Sequence, residues 1–267
     1  MRSYNQLLTP KEAGKRKEKP EEDIALLDRV SAANAGAGED YLEYLVLQRK
    51  SSSAELHTRL AVLYAERAKS FLEDETVLKL WRAKGTFPPF LSSPRLWPIK
   101  KQTASSYASS QPPPETTFIS YFASTTPDSP HKRARLKLIV VLAGSPLYDT
   151  HLLRQQLAES ETVLRIECAI VDARKGDHNA VLVGLVHDVR DVVSAEMYCA
   201  VGGGVDGVFD RKAALGLGGV EGGEVGKCAN ALFGGSSVPA QGREDEGEKE
   251  ARRRLMMMLL EVHMSDP

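Results

Sequence analysis

The chain is poor in cysteine. Cys168, Cys199 and Cys228 are its only three. An odd number with no CxxC spacing argues against a structural zinc box and for a reducing compartment. Long apolar runs are also missing. No segment reaches the roughly 18 consecutive apolar residues of a membrane span. The N-terminus, MRSYNQLLTPKEAGKRKEKPEED, has no apolar core of the signal-peptide kind. An excess of charge of one sign is missing too. Thirty-five Lys and Arg stand against 36 Asp and Glu, a net charge of -1, so bulk charge gives no sign of a nucleic-acid partner. These absences imply a cytosolic protein, or one held peripherally at a membrane by other proteins.

What the 267 residues do carry is helical periodicity. Residues 161–199 read as helix, tight turn, helix, short turn and the start of a third helix. Val163, Leu164, Ile166, Ala169, Ile170 and Ala173 share one apolar face. Arg174 and Lys175 suit the negative end of that helix, and Gly176 suits its left-handed cap. Asp177 or Asn179 can cap the next helix, which carries Val181, Leu182, Leu185, Val186 and Val189. An antiparallel pair with so short a turn is the unit of a helical repeat array.

The rest of the chain divides by composition. Residues 1–38 are a charged, flexible segment ending in SAANAGAG, a linker by its small residues. Residues 39–84 hold a helical hairpin, with Tyr41, Leu42, Tyr44, Leu45 and Leu47 on one helix and Leu56, Leu60, Leu63 and Tyr64 on the other. Phe71–Trp81 continues the second helix or begins a third. Residues 85–130 contain eight prolines before Pro130 and are expected to form a disordered Pro/Ser-rich insert. Residues 131–200 form the main helical region. It opens with KRARLKLIVVLAG, read as a helix because a lone strand would have no partner. Ser145 is a candidate cap for the short helix over Tyr148–Leu157. Residues 201–250 read as a disordered Gly-rich loop, and 251–267 as a terminal amphipathic helix without a companion. The fold class is therefore all-α, an α-solenoid of helical hairpins interrupted by loops.

Candidate chemistry is thin. Gly222–Lys227 (GGEVGK) approaches a phosphate loop, but its spacing is short and Cys228 stands where Ser or Thr is required. His178 and His187 each neighbour an Asp, but their nine-residue separation on helices does not bring two ligands to one face. His178 is assigned to the turn and His187 to an exposed helix end. His57 reads as packed or solvated. No catalytic residue, cofactor or metal is assigned.

Several blocks resemble a known family. Leu42–Glu66 (LEYLVLQRKSSSAELHTRLAVLYAE), Leu138–Leu157 and Arg252–Met264 are similar to segments of the vacuolar protein sorting family, subunits of the CORVET and HOPS tethering complexes. The best match runs from Cys168 to Cys199, through Gly176, His178, Ala180, Leu185, His187, Asp191, Ala195, Tyr198 and Cys199. Within the family the resemblance is nearest to the CORVET-specific subunit and the transforming growth factor-beta receptor-associated type, in a fungal-type form with inserts. It implies a non-enzymatic helical scaffold in vesicle-mediated transport, peripheral on endosomal or vacuolar membranes, with no cofactor. Its implied partners are the core subunits shared by both complexes. Rab GTPase contact would run through the family's β-propeller-like N-terminal domain, which has no counterpart here, so the chain reads as a truncated array. The alternative implied by the same resemblance is a signalling adaptor for a receptor kinase.

Overall fold

The computed structural model describes residues 20–84, 117–209, 223–234 and 246–265. All of its regular elements are helical: α1 (Pro20–Ala33), α2 (Ala35–Glu43), α3 (Ala54–Ser70), α4 (Glu75–Lys84), α5 (Phe118–Thr125), α6 (Pro130–Gly144), α7 (Thr150–Ala158), α8 (Arg165–Lys175), α9 (His178–Val183), α10 (Val192–Ala200), α11 (Val205–Val208), α12 (Glu224–Phe233) and α13 (Glu246–Met264). The all-α expectation holds, and no strand occurs among the described residues.

α6 is the axis. Every residue from Ala134 to Ala143 is buried, so this helix is enclosed all round rather than amphipathic. The helix chosen for KRARLKLIVVLAG is thus correct, and its apolar run is continuous because α3, α8 and α12 cover its different sides. α7 pairs with α8 and α3, while α13 lies on α10 and α9. These neighbour-on-neighbour pairings are compatible with stacked hairpins. Trp81, Tyr64, Tyr198, Phe118, Phe122 and Phe209 are among the largest fully buried side chains.

Two hairpins turn on the same joint. α2 runs into a π-helical turn, Tyr44–Gln48, and α9 into another, Gly184–Val189. In each, the carbonyl of a fully buried leucine accepts the N–H six residues on: Ser51 to Leu45 at 3.0 Å, and Asp191 to Leu185 at 2.7 Å. A cation in the left-handed region precedes that residue, Lys50 at φ 55° and Arg190 at φ 60°. A buried polar residue then leads into the next helix: Ser51 before α3, Asp191 before α10.

Several expectations need correction. The supposed linker at 31–38 is helical. α1 and α2 meet at Asn34, whose side chain accepts from the Ala37 N–H at 3.2 Å. Gly38 packs so closely on Ser31 that a side chain there would collide with it. Small residues serve close approach here, not flexibility. Within the expected 85–130 insert, α5 buries Phe118, Ile119, Tyr121 and Phe122. Local aromatic content outweighs the proline-rich surroundings. The supposed Gly-rich loop contains α11 and α12, which bury Val208, Val225, Cys228 and Phe233. Phe71–Glu73 forms one 3₁₀ turn before α4 begins. The cap of α7 is Asp149, whose Oδ1 accepts from the N–H of His151 at 2.9 Å and of Leu152 at 3.0 Å, not Ser145. The terminal helix begins at Glu246 and does have companions. The expected flexible segment 1–38 is also helical from Pro20 on, as α1, and residues 1–19, 85–116, 210–222 and 235–245 lie outside the described residues.

Candidate functional site

The sequence motif from Gly176 to Cys199 occupies one region, and Leu185, Asp191, Ala195, Tyr198 and Cys199 of it are buried. Gly176 ends α8 at φ 75°, the left-handed cap that an L side chain resists. Asp177 caps α9, its Oδ1 accepting from the Ala180 N–H at 3.2 Å. Leu185 and Ala195 are fully buried.

His178 and Tyr198 come together. The imidazole Nδ1 lies 2.7 Å from the Tyr198 hydroxyl. Burial pushes that phenol up to about 12, so it stays neutral and able to donate. Gly203, at φ 84°, presses against this pair. A Cβ there would lie 2.7 Å from His178 Cε1 and 2.9 Å from Leu255 Cδ1.

His187 and Cys199 hold α13. His187 is half-buried, and its Nε2 lies 2.9 Å from the Val262 carbonyl, which fits a donated hydrogen bond. The Cys199 thiol donates to the Leu255 carbonyl at 3.4 Å. His187 therefore does not sit at an exposed helix end. It bonds to a helix 75 residues on. His178 and His187 do not converge.

Asp191 is the most connected motif residue. It is 1% exposed. Its Oδ1 accepts from the Ser194 N–H at 2.9 Å, and its Oδ2 from the Ser194 hydroxyl at 2.6 Å and the Phe118 N–H at 2.7 Å. One carboxylate thus caps α10 and fixes the start of α5. Burial raises its pKa, and the hydrogen bonds from Ser194 and Phe118 oppose that rise.

Three other polar clusters, which the sequence did not announce, lock α6. Arg135 donates through Nε to Glu167 Oε1 at 2.7 Å, and through Nη2 to Glu167 Oε2 at 3.1 Å and the Val163 carbonyl at 3.0 Å. Its guanidinium carbon sits 4.9 Å from the Trp81 ring centroid and 4.8 Å from that of Phe122. Lys137 reaches Glu43 at 3.3 Å and Glu224 at 3.0 Å, joining α6 to α2 and α12. It holds the Glu224 carboxyl below its ordinary range. His57 is packed, as one of the two readings held. Its Nδ1 lies 2.6 Å from Ser145 Oγ and its Nε2 2.7 Å from the Ser51 carbonyl. This resembles two members of a hydrolytic triad, but Ser145 is 0% exposed and a carbonyl occupies the orienting position.

No group of three or more His, Cys, Asp or Glu suited to a metal occurs among the described residues. Burial pushes Cys168 and Cys228 up to about 12 and Cys199 to about 11, values of packed thiols rather than nucleophiles. Lys227 lies inside α12, and Gly223 caps that helix. Gly222 lies outside the described residues. The arrangement can fix helices against one another and present their outer faces.

A groove of about 480 Å³ lies on the outer surface among α1, α2, α3 and α7. Leu27, Leu42, Val62, Leu63 and Leu152 supply most of its apolar lining, and Glu39, Arg59 and Glu66 its charges.

The chain is similar to transforming growth factor-beta receptor-associated proteins. It is 29% identical over 160 residues to the protein 1 homolog of Danio rerio. It is 28% identical over 159 residues to protein 1 of Homo sapiens, and 26% over 159 residues to that of Mus musculus. Each match covers 60% of this chain and 13% of the relative, so the matched stretch spans about an eighth of those proteins. No protein-family model matches the chain, and no solved structure does. No helix of the described residues is long and apolar enough to cross a membrane.

Proposed function

We propose that the chain is a non-enzymatic helical scaffold, part of a tethering-complex subunit in endosomal and vacuolar vesicle traffic. It binds the core subunits shared by the CORVET and HOPS complexes and sits peripherally on the membranes they join. The observation that carries this reading is how the motif's polar side chains are used. His178, His187, Asp191, Tyr198 and Cys199 all make their hydrogen bonds inside the helix stack. A region whose recognisable residues serve helix register contributes through its outer surface. Rab GTPase contact, in this reading, belongs to domains outside this stretch.

The names of the relatives favour a second reading, a signalling adaptor at a transforming growth factor-beta receptor. Co-purification of the tagged chain from cells separates the two. The tethering reading expects the other tethering subunits as the dominant partners, captured also by purified protein. Recovery of receptor kinase without any tethering subunit would overturn it.

A further inference from the structure

We propose that Ser129 is a phosphorylation site for a proline-directed serine/threonine kinase, and that its phosphate seats on the cationic first turn of α6.

The chain contains five Ser/Thr-Pro steps, at Thr9, Ser93, Thr126, Ser129 and Ser145. Ser129 is the one with a cation three residues on, Lys132, and Arg133 follows it. A hydroxyl, then proline, then a cation at the third position is the pattern such kinases read. Proline suits a pocket that offers no acceptor for a backbone N–H, and the cation pairs with an anionic group of the kinase. Three of the steps lie among the described residues, and burial separates them. Thr126 is 3% exposed and Ser145 0%, and Ser145 is also bonded to His57. Ser129 is partly exposed and stands between exposed Asp128 and exposed Pro130. Of the three, Ser129 is the acceptor a kinase can reach.

The backbone fits as well. A kinase takes its acceptor stretch in extended form. Thr126 (φ -87°, ψ 129°) and Ser129 (φ -161°, ψ 158°) are both extended and bracket the connection from α5 to α6. Lys132 lies in the first turn of α6, so reading it requires that turn to open. Pro130 supplies no N–H to the turn. Ser129 Oγ accepts from the Lys132 N–H at 3.3 Å, and the Ser129 carbonyl from the Arg133 N–H at 3.1 Å. Lys132 Nζ donates to the Thr126 carbonyl at 2.7 Å. Fraying this end costs far less than opening the buried stretch from Ala134 on.

In the reaction the Ser129 oxygen attacks the γ-phosphorus of Mg-ATP, ADP leaves, and the hydroxyl proton passes to the kinase's carboxylate base. The product carries about -1.5 to -2 charges among donors. His131 Nε2 already lies 2.9 Å from Ser129 Oγ. Arg133 pairs with Asp128 at 3.5 Å, but both side chains are exposed, and such a pair yields to a stronger anion. The phosphate takes first-turn N–H groups and draws Arg133 from Asp128. The modification thus acts on the start of the helix around which the others pack. The inference goes beyond the tethering reading and does not depend on it.

The test incubates the full chain with a purified proline-directed kinase and Mg-ATP, and maps phosphate by mass spectrometry. Ser129 should be modified, and Thr126 and Ser145 should not. Pro130→Ala keeps the hydroxyl and should keep the wild-type circular dichroism. Its Ser129 should be modified at least about tenfold more slowly, a difference of 1.4 kcal/mol. Phosphorus NMR of the phosphorylated chain then reads the seating. The second ionisation of phosphoserine, ordinarily near about 6, should fall lower. The helix N–H groups, His131, Lys132 and Arg133 favour the dianion, and Asp128 and Asp74 oppose them. A chain left unmodified at Ser129, a Pro130→Ala variant modified as fast as wild type, or a phosphate titrating at or above its ordinary value overturns the proposal.

Discussion

Replacing Glu167 by alanine should destabilise the fold more than any single surface change, because it strands a buried cation. Arg135 is 1% exposed and Glu167 0%. Two of the three hydrogen bonds of Arg135 go to that one carboxylate. Without it the guanidinium keeps the Val163 carbonyl and the faces of Trp81 and Phe122, which do not replace a counter-charge. Removing one partner of a buried pair costs about 3–5 kcal/mol. With a urea slope of about 2–3 kcal/mol per molar, the unfolding midpoint should fall by roughly 1–2 M. The pair itself is a different matter. Arg135→Met with Glu167→Leu removes both charges and keeps most of the volume. That double variant should lie within about 1 kcal/mol of wild type or above it, since well-packed apolar replacements of buried pairs are often neutral or stabilising. The assay is urea unfolding followed by both circular dichroism and Trp fluorescence. A loss under about 1 kcal/mol for Glu167→Ala would refute the claim that this charge is uncompensated. A double variant as unstable as the single one would refute the claim that burial, not loss of packing, is the cause.

Gly203→Ala should cost more than Gly176→Ala in the same unfolding assay. Both glycines have positive φ, worth about 1–2 kcal/mol each, but only Gly203 also meets neighbours within 3 Å, adding about 1–3 kcal/mol of overpacking. Asp191→Asn should show a pH signature. Burial raises the folded pKa of Asp191 above its ordinary 3.8. Its stabilisation is therefore full below that value and declines as pH rises through the folded pKa. The deficit of Asp191→Asn relative to wild type should thus be larger near pH 4 than at pH 7, and a constant deficit would contradict this. The three thiols should resist a disulfide reagent in the native state and all react in urea, since each is buried with a raised pKa. Leu259→Asp, which loosens α13, should release Cys199 before Cys168 or Cys228, read by mass spectrometry of the labelled peptides.

What the sequence made legible was local. The Gly176 cap stands where periodicity and turn chemistry put it, and of the two caps offered for the next helix, Asp177 and Asn179, Asp177 is the one used; both caps depend on neighbours one to four residues away. The helix over 130–144 was readable only from its context, since its apolar run suits a strand as well and a lone strand would have had no partner. Tertiary roles were not readable. Arg135 looked like part of a basic helix start, yet its partner is 32 residues on. His187 looked exposed because the carbonyl it meets belongs to α13. Gly38 looked flexible because smallness in sequence does not say whether it serves motion or contact. α5 was hidden because eight residues with four buried apolar side chains are short beside a long proline-rich stretch. The outer groove needs four helices at once and leaves no mark in any single segment.

The paired joints at Lys50 and Arg190 say where this architecture can vary. Each reversal is set by a widened backbone ring and one left-handed residue, so its angle is fixed by main-chain geometry and not by loop length. An extra residue there would rotate every following side chain by about 100° and turn the buried face of α3 or α10 outward. Connections without such a joint carry no angular information. They can lengthen at a penalty that rises only with the logarithm of their size. The long Pro/Ser and Gly stretches fall between α4 and α5 and between α11 and α12, away from both joints. The chain thus keeps its longest low-complexity stretches away from the two joints that set the angles between its helices.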